Sequence, residues 1–576
     1  MGDGNGAATQ RYGSDLVVDW LYDAGIRQVA INPGATIRGL HDSLVRHPGI
    51  ETVLALHEEI AVGIAHGYWK ATGRPMAVFV HDLVGLQHAS MALFNASVDR
   101  AAMVVVGGVG PRDESQRRPW LDWIHTATEH TSLVRDLTKV ALEPSSLVGV
   151  RDGLTRAVRA ATSSPEGPVY LAVDVALQEG AVPDTAPRQP LTLLEPVTPR
   201  PSPESVAAVA SLLERAERPV LVVDRPARTA RQGVVRLAEA LGAPVVDLGG
   251  GFCFPSGHWA DQSDARAATL AAADVIVTLE VRDPAWALSD VDTGTRAKTW
   301  HHRPDATVVV VGVNELRDQN YVVLDELLPT ATYVVADAGL FVDAVVARVA
   351  PRPAEELAAR RAELQATHDD GRQASVRAAQ AHAAEAPVHP AHLATLVGEA
   401  ISDGPWVLAN GLLQGWPRRL WEFGDDAEFL GRSGGEGLGY GLPASLGAAL
   451  AHRDTDHLVV DLQADGDLMY TSSALWTAAH CGLPLLVVVH DNGTYGKDEL
   501  HQREIATSRG RSADVVPRGI HINEPPIDFA QLAVAQGVEG IGPCDDPDTT
   551  ATALRRAAQT VRTERRPVLV HVRCSS

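Results

Sequence analysis

Asp465, Asn492 and Thr494 are the residues whose types and spacing most plainly permit chemistry. They lie in Asp461–Gly496, DLQADGDLMYTSSALWTAAHCGLPLLVVVHDNGTYG. The Asp465 carboxylate, the Asn492 amide and a backbone carbonyl near Thr494 are hard oxygen donors, a set that suits Mg²⁺ bridging to substrate phosphates. Two further groups stand in the first quarter of the chain. His57-Glu58-Glu59 precedes an Ala- and Gly-containing run, and His81 follows the apolar run Met76–Val80. An imidazole titrates near neutral pH and suits proton transfer. Each group also has a plainer reading. Asp and Asn make turns at strand ends, acidic residues in a first helical turn complement the helix dipole, and a strand-end His is often a hydrogen-bonded structural residue.

The elements that must position these groups follow from pattern. Leu458–Leu462 is an apolar run stopping at Ala464-Asp465-Gly466-Asp467, read as a small-residue turn. Ser473–Cys481 has helical composition, Leu483-Pro484 breaks it, and Leu485–Val489 is a buried β run ending in Asp491-Asn492-Gly493-Thr494. The unit is β-turn-α-β, with both oxygen-bearing turns at the carboxyl ends of neighbouring parallel strands, the edge where open α/β sheets bind ligands. Upstream, Arg27–Ile31, Met76–Val80, Met103–Val106 and Val169–Val173 alternate with helical stretches, as do Val220–Val223, Pro244–Asp247, Val275–Leu279, Val308–Val311 and Tyr333–Val335. Such alternation predicts an α/β fold of three doubly wound parallel-sheet domains, at 1–186, 204–350 and 388–576. The Pro- and Thr-rich 180–203 stretch reads as a linker and Ala354–Ala386 as a helical connector. No strand of the second domain is followed by G-x-G-x-x-G, so that domain reads as structural.

The spacing of the ADGD turn and the DN pair resembles the diphosphate-binding signature of thiamine diphosphate enzymes, G-D-G followed some two dozen residues later by N-N. Within that superfamily, of pyruvate decarboxylase and acetolactate synthase type, SALWTAA and NGTYG are most similar to benzoylformate decarboxylase. The resemblance implies pyrimidine-binding, central and diphosphate-binding domains, thiamine diphosphate with Mg²⁺ as cofactors, and metal ligation by Asp465, Asn492 and Thr494. It implies cofactor contacts from Asn410, Gly411, Leu412 and Gln414, from Gly437 and Leu438, from Gly466 and Asp467, and from Tyr495 and Gly496. Gly434–Gly439 is expected to begin a helix whose N–H groups suit phosphate oxygens, with Leu438 the wedge that bends the cofactor. HEEIAVGIAHGYWKATGRP resembles the family's pyrimidine-domain helix, which places on Glu58 the contact to N1′ and a shared proton that favours a carbanion at C2. Glu59 keeps the dipole role, and Gly63, Ala65 and Gly67 allow close backbone approach. His81 matches a proton-transfer histidine, and His125, with Trp120 and Trp123, lies in a segment that often faces the active site. Leu500–Pro526 reads as a mobile cover.

Departures bear on the substrate. Ala464 and Asp491 replace a glycine and an asparagine of the signature without removing a ligand. Ala35 replaces the serine that receives a substrate carboxylate after N-P-G, and Val281–Trp286 lacks the family's second histidine. The expected reaction is decarboxylation of a 2-oxo acid. A carboligase or lyase using the same carbanion on a second carbonyl partner is the alternative, and a catalytically silent nucleotide-binding scaffold is a third reading. The resemblance also implies a homodimer or homotetramer with sites at the subunit interface. A net charge of −22 argues against nucleic acid or an anionic membrane as partner. Met1–Arg11 has no signal-peptide core, and Cys253, Cys481, Cys544 and Cys574 lack metal-ligand spacing, as expected of reduced thiols in a cytoplasmic protein.

Overall fold

The computed structural model describes residues 10–225, 230–292, 294–316, 331–424 and 427–575. Positions 1–9 of the polar N-terminal stretch lie outside them. The chain separates into two units, one of Met1–Val197 with Ser433–Ala451, the other of Thr198–Arg432 with His452–Ser576. Three principal sheets, all parallel, carry the fold.

The first unit holds β1 (Gln28–Ile31), β2 (Glu51–Leu54), β3 (Ala77–Val80), β4 (Met103–Val109), β5 (Ala141–Leu142) and β6 (Pro168–Asp174) in the order β2-β1-β3-β4-β6-β5. β3, β4 and β6 are buried along their whole length, which their unbroken Val, Ala and Phe runs require. The helix Glu58–Thr72 packs against the helix Gly441–Ala451 at backbone contact distance. A Cβ on Gly67 would lie 1.8 Å from the Ala444 carbonyl oxygen, one on Gly63 2.5 Å from Pro443, and one on Gly447 2.0 Å from the Ile64 carbonyl oxygen. The close approach expected at Gly63 and Gly67 therefore has this helix as its partner.

The second unit begins with β7 (Pro219–Val223), β8 (Val245–Asp247) and β9 (Val275–Leu279). The hairpin of β10 (Ser289–Val291) and β11 (Lys298–Trp300) follows, then β12 (Thr307–Gly312) and β13 (Thr332–Val335). Strands 7, 8, 9, 12 and 13 form one sheet in the order β13-β12-β9-β7-β8. Alternate residues enter two separate cores: Leu221, Val223, Val277 and Val309 one, Val220, Val222, Ile276 and Val308 the other. That period of two, apolar on both sides, is the signature of a doubly wound sheet. The third sheet contains β14 (Trp406–Gly411), β15 (Ala427–Phe429), β16 (Leu458–Ala464), β17 (Leu485–Asp491), β18 (Glu539–Cys544) and β19 (Val568–Arg573), ordered β15-β14-β16-β17-β19-β18.

Counted within its own domain, that order is 2-1-3-4-6-5 in both the first and the third sheet. Each therefore reverses direction between its first and third strands, at β1/β3 and at β14/β16, and in an open α/β sheet the crevice at such a switch point is where ligands bind. Asn32–Thr36 leaves β1 and His81 leaves β3; Asn410 closes β14 and Asp465 follows β16.

Two expectations need correction. Asp465 does not sit in a turn but opens a short helix, Asp465–Tyr470, which puts its carboxylate in a first helical turn. Gly434–Gly439 does not begin a helix; the segment runs as loop and helix starts at Gly441, because four glycines in six residues resist helix nucleation. The first third of the expected cover belongs to the helix Gly496–Ser508, which has no buried residue. Beyond it the chain is tied down by a bridge between Thr494 and His521 and by a hydrogen bond from Ile522 N–H to the Gly493 carbonyl (2.8 Å).

Candidate active site

At the switch point of the first sheet, Glu58 is the first residue of its helix, and the side chain of the preceding His57 accepts from Glu59 N–H (3.2 Å). The Glu58 carboxylate is buried, 3% exposed, with Oε2 facing His88 Nδ1 at 3.2 Å. Its Oε1 lies against Gly85, where a Cβ would come within 2.7 Å. His57, Glu58 and His88 gather three possible ligand atoms within 4.8 Å of one another. The two imidazoles, however, are stacked at 4.6 Å with only 22° between their planes. A metal must lie near the plane of each ring that binds it, and two nearly parallel planes share no such point, so the cluster is a hydrogen-bonded one.

His81 is half-buried. Its Nδ1 lies 2.7 Å from Thr36 Oγ1, and its ring meets His125 edge-on at 5.0 Å. Burial, and then the neighbouring His125, hold the His81 pKa below the usual imidazole value. His125 Nδ1 is buried and finds no hydrogen-bond partner among the described residues. Trp120 and Trp123, on the same segment, are 72% and 71% exposed. Beneath His81, the buried Asp82 carboxylate accepts from Leu83 N–H (2.6 Å), Gly110 N–H (3.2 Å) and the His130 ring. Burial works against a charged His130, yet the Asp82 contact raises its pKa above the ordinary value.

The Ser433–Ala451 segment belongs to this same unit. Asn95 clamps Gly437, accepting from its N–H and donating to its carbonyl, both at 3.1 Å, and Asp99 accepts from Gly434 N–H (2.7 Å). Leu438 is only half-buried, outside the apolar core.

In the second unit, strand register aligns Ala464 with His490, so Asp465 and Asn492 emerge side by side from β16 and β17. Asp465 accepts from Gly466 N–H and Gly493 N–H, each at 2.8 Å. Gly493, at φ +62°, occupies the left-handed region that favours glycine. Asp491 accepts from the same Gly493 N–H (2.9 Å) and from His571 Nε2 (2.9 Å), and it hydrogen-bonds Asp465. Burial and the Asp491 carboxylate push the pKa of Asp465 upward; burial opposes ionisation of Asp491 too, but His571 and Asp465 hold it down. Two carboxylates this close in a buried site are a place where a divalent cation would let both ionise, and the donor set is all oxygen. The residues present fit Mg²⁺.

The Asn492 side chain accepts from Thr494 N–H (3.3 Å); Thr494 is buried, and Tyr495 packs where a Cβ on Gly466 would come within 2.5 Å of its ring. Gly496 is exposed at the start of its helix. Asn410 turns inward, donating to Asp461 Oδ1 (2.8 Å), the Leu462 carbonyl (3.0 Å) and Gln463 Oε1 (3.2 Å), and Gln463 in turn donates to Asp467 (2.5 Å). Asn410 and Asp467 thus sit in a buried network under the strand ends, while Leu412 and Gln414 are exposed beyond β14, with Gly411 half-buried between. A cavity of about 480 Å³ lined by Phe252, Phe254, Trp286, Arg266 and Arg418 contains none of the predicted residues.

The sequence reading missed Thr36, His88, Asp82–His130, Asn95 and His571. Thr36 and His88 are separated from their partners by 45 and 30 residues, and nothing local signals such pairs.

These arrangements set buried carboxylates and imidazoles at the matching switch points of two α/β sheets, the edge at which enzymes of this class bind their ligands. Comparison with known proteins places the chain. The chain matches the N-terminal TPP binding domain of thiamine pyrophosphate enzymes over residues 11–133, their central domain over 206–345 and their C-terminal TPP binding domain over 409–572. It belongs to the thiamine pyrophosphate enzyme family. It is 26% identical to benzoylformate decarboxylase of Pseudomonas aeruginosa, covering 90% of this chain and 91% of that one, and 25% identical to the acetolactate synthase isozyme 1 large subunit of Escherichia coli K12, covering 97% and 93%. Among solved structures, benzoylformate decarboxylase of Polynucleobacter necessarius superposes with a TM-score of 0.78 at 19% identity, covering 98% and 99%. The thiamine diphosphate-dependent 4-hydroxybenzoylformate decarboxylase of Rhodococcus jostii RHA1 gives 0.75 at 22%, with the same coverage.

Proposed function

We propose that this chain is a Mg²⁺- and thiamine diphosphate-dependent enzyme that decarboxylates a 2-oxo acid. The observation that supports the reading is the buried Asp465 carboxylate at the end of β16, set beside Asp491 and Asn492 around Gly493, an all-oxygen donor set at the strand ends. Asp465, Asn492 and the Thr494 carbonyl would hold the metal and, through it, the diphosphate. Bound thiamine diphosphate supplies a nucleophilic carbon that adds to a carbonyl and accepts the electron pair released when the adjacent C–C bond breaks. Glu58, buried and set against Gly85, holds a proton at the pyrimidine ring. His81 and His125 move protons at the substrate oxygen and carbon.

Carboligation is the second reading, favoured by a specific feature. Ala35 offers no hydroxyl for a substrate carboxylate, and the hydroxyl of Thr36 is engaged by His81. The assembly we propose is a homodimer or homotetramer. A cytoplasmic location accords with four cysteines that form no disulfide and with the absence, among the described residues, of a helix long and apolar enough to cross a membrane. A panel of 2-oxo acids, with and without aldehyde acceptors, read by product mass, separates the two reactions. Protein that releases no thiamine diphosphate on denaturation and gains no activity when supplied with it and Mg²⁺ refutes both.

A further inference from the structure

We infer that Thr36 is a positioning residue that fixes His81 as its Nε2–H tautomer. Asp82 N–H, a donor only, points at Thr36 Oγ1 (2.9 Å) and at His81 Nδ1 (2.8 Å). Because Nδ1 already faces that N–H it cannot carry a proton of its own, so Thr36 Oγ1, which accepts from Asp82, turns its O–H to His81 Nδ1, 2.7 Å away. A ring nitrogen that accepts carries no proton, so the proton of the neutral imidazole resides on Nε2. Nε2 has no hydrogen-bond partner among the described residues, which makes it the atom His81 presents for work.

The surroundings hold this arrangement in place. Thr36 is fully buried, its carbonyl accepts from Gln178 Nε2 (3.0 Å), and a Cβ on Gly108 would sit 2.0 Å from that carbonyl oxygen. A Cβ on Gly34 would come within 2.6 Å of the His81 side chain, so the loop lies flat against the ring. On the other side, Asp82 is fixed through its carboxylate by His130 and two backbone N–H groups. In its neutral form His81 thus offers Nε2–H as a hydrogen-bond donor to a substrate-derived oxygen, with Nδ1 held as the acceptor behind it. The neighbouring Ala35 cannot substitute for Thr36, because it has no hydroxyl.

The catalytic meaning rests on the proton-transfer reading of His81; the tautomer does not. The test is the ¹⁵N spectrum of the full-length protein labelled in histidine, with His81 assigned by difference from His81→Gln. In the parent and in Thr36→Ser, the His81 signals should show a protonated Nε2 and an unprotonated Nδ1. In Thr36→Val, nearly the same shape without the hydroxyl, the two tautomers should mix, and turnover should fall roughly tenfold, the scale of one lost hydrogen bond, with KM within about twofold. A parent spectrum with the proton on Nδ1 overturns the inference, and so does a folded Thr36→Val protein whose His81 signals match the parent's. If the spectra are as expected but His81→Ala turns over at the parent rate, the proton-transfer reading fails and the tautomer assignment stands.

Discussion

Replacing Gly85 with alanine tests the placement of Glu58 with the smallest possible perturbation. Gly85 is the second residue of a helix, Val84–Val98, and its φ lies outside the left-handed region, so alanine suits the backbone. The added methyl would lie 2.7 Å from Glu58 Oε1 and 3.0 Å from His81 Cβ. A carbon-to-oxygen contact settles at about 3.3 Å or more, so the carboxylate must retreat by about 0.6 Å. Misplacing a catalytic group by about 1 Å costs on the order of 10²-fold; a retreat of this size should cost roughly ten- to fiftyfold in kcat. Stability should barely move, because alanine is favoured over glycine in a helix by up to ~1 kcal/mol, offsetting the local crowding. The assay is steady-state turnover on the 2-oxo acid identified by the substrate panel, beside a thermal melt and calorimetric cofactor affinity. Parent-level kcat in a Gly85→Ala enzyme with an unchanged melt would show that Glu58 Oε1 is not where the proton-sharing role needs it.

Other perturbations report on the remaining parts. Asp465→Ala should abolish Mg²⁺-dependent binding of thiamine diphosphate while leaving the melt near that of the apo parent; unchanged cofactor affinity by calorimetry would falsify the metal assignment. His81, with its pKa lowered by burial and by His125, is neutral above its ordinary value of 6.5 and gains charge only as pH falls through the lower folded value. The acid limb of turnover should therefore lie below pH 6.5 and move upward in His125→Asn, which removes the repelling ring but not the burial; a limb that stays put assigns it to another group. Mixing Glu58→Ala with Asp465→Ala subunits under exchange conditions should restore activity if each site draws on two chains, since one site in a mixed dimer then escapes both lesions. No recovery despite demonstrated exchange means that each chain builds its own site.

How much of this was legible beforehand follows from the range of the interaction concerned. Strands such as Val275–Leu279 and Leu485–Asp491 are unbroken apolar runs, and burial on both faces of a parallel sheet demands that composition wherever they lie. Asp465 and Asn492 were placed correctly at strand ends because turn-forming residues mark where an apolar run stops, although a first helical turn and a bend share that composition, and the helix at Asp465–Tyr470 was missed for that reason. The glycines of Glu58–Thr72 announced a close backbone approach, but glycine reports only the missing side chain. The partner helix, Gly441–Ala451, lies almost 400 positions further on and carries its own Gly447 in contact with Ile64. The polar pairs show the same asymmetry more sharply. His81 is marked by its type and its strand end, whereas the hydroxyl that orients it sits next to Ala35, the residue that departs from the family pattern. A side chain's chemistry is local, but the tautomer or charge state in which it works is set by neighbours that only the fold supplies, so the roles of Thr36, His88 and His571 had to wait for the structure.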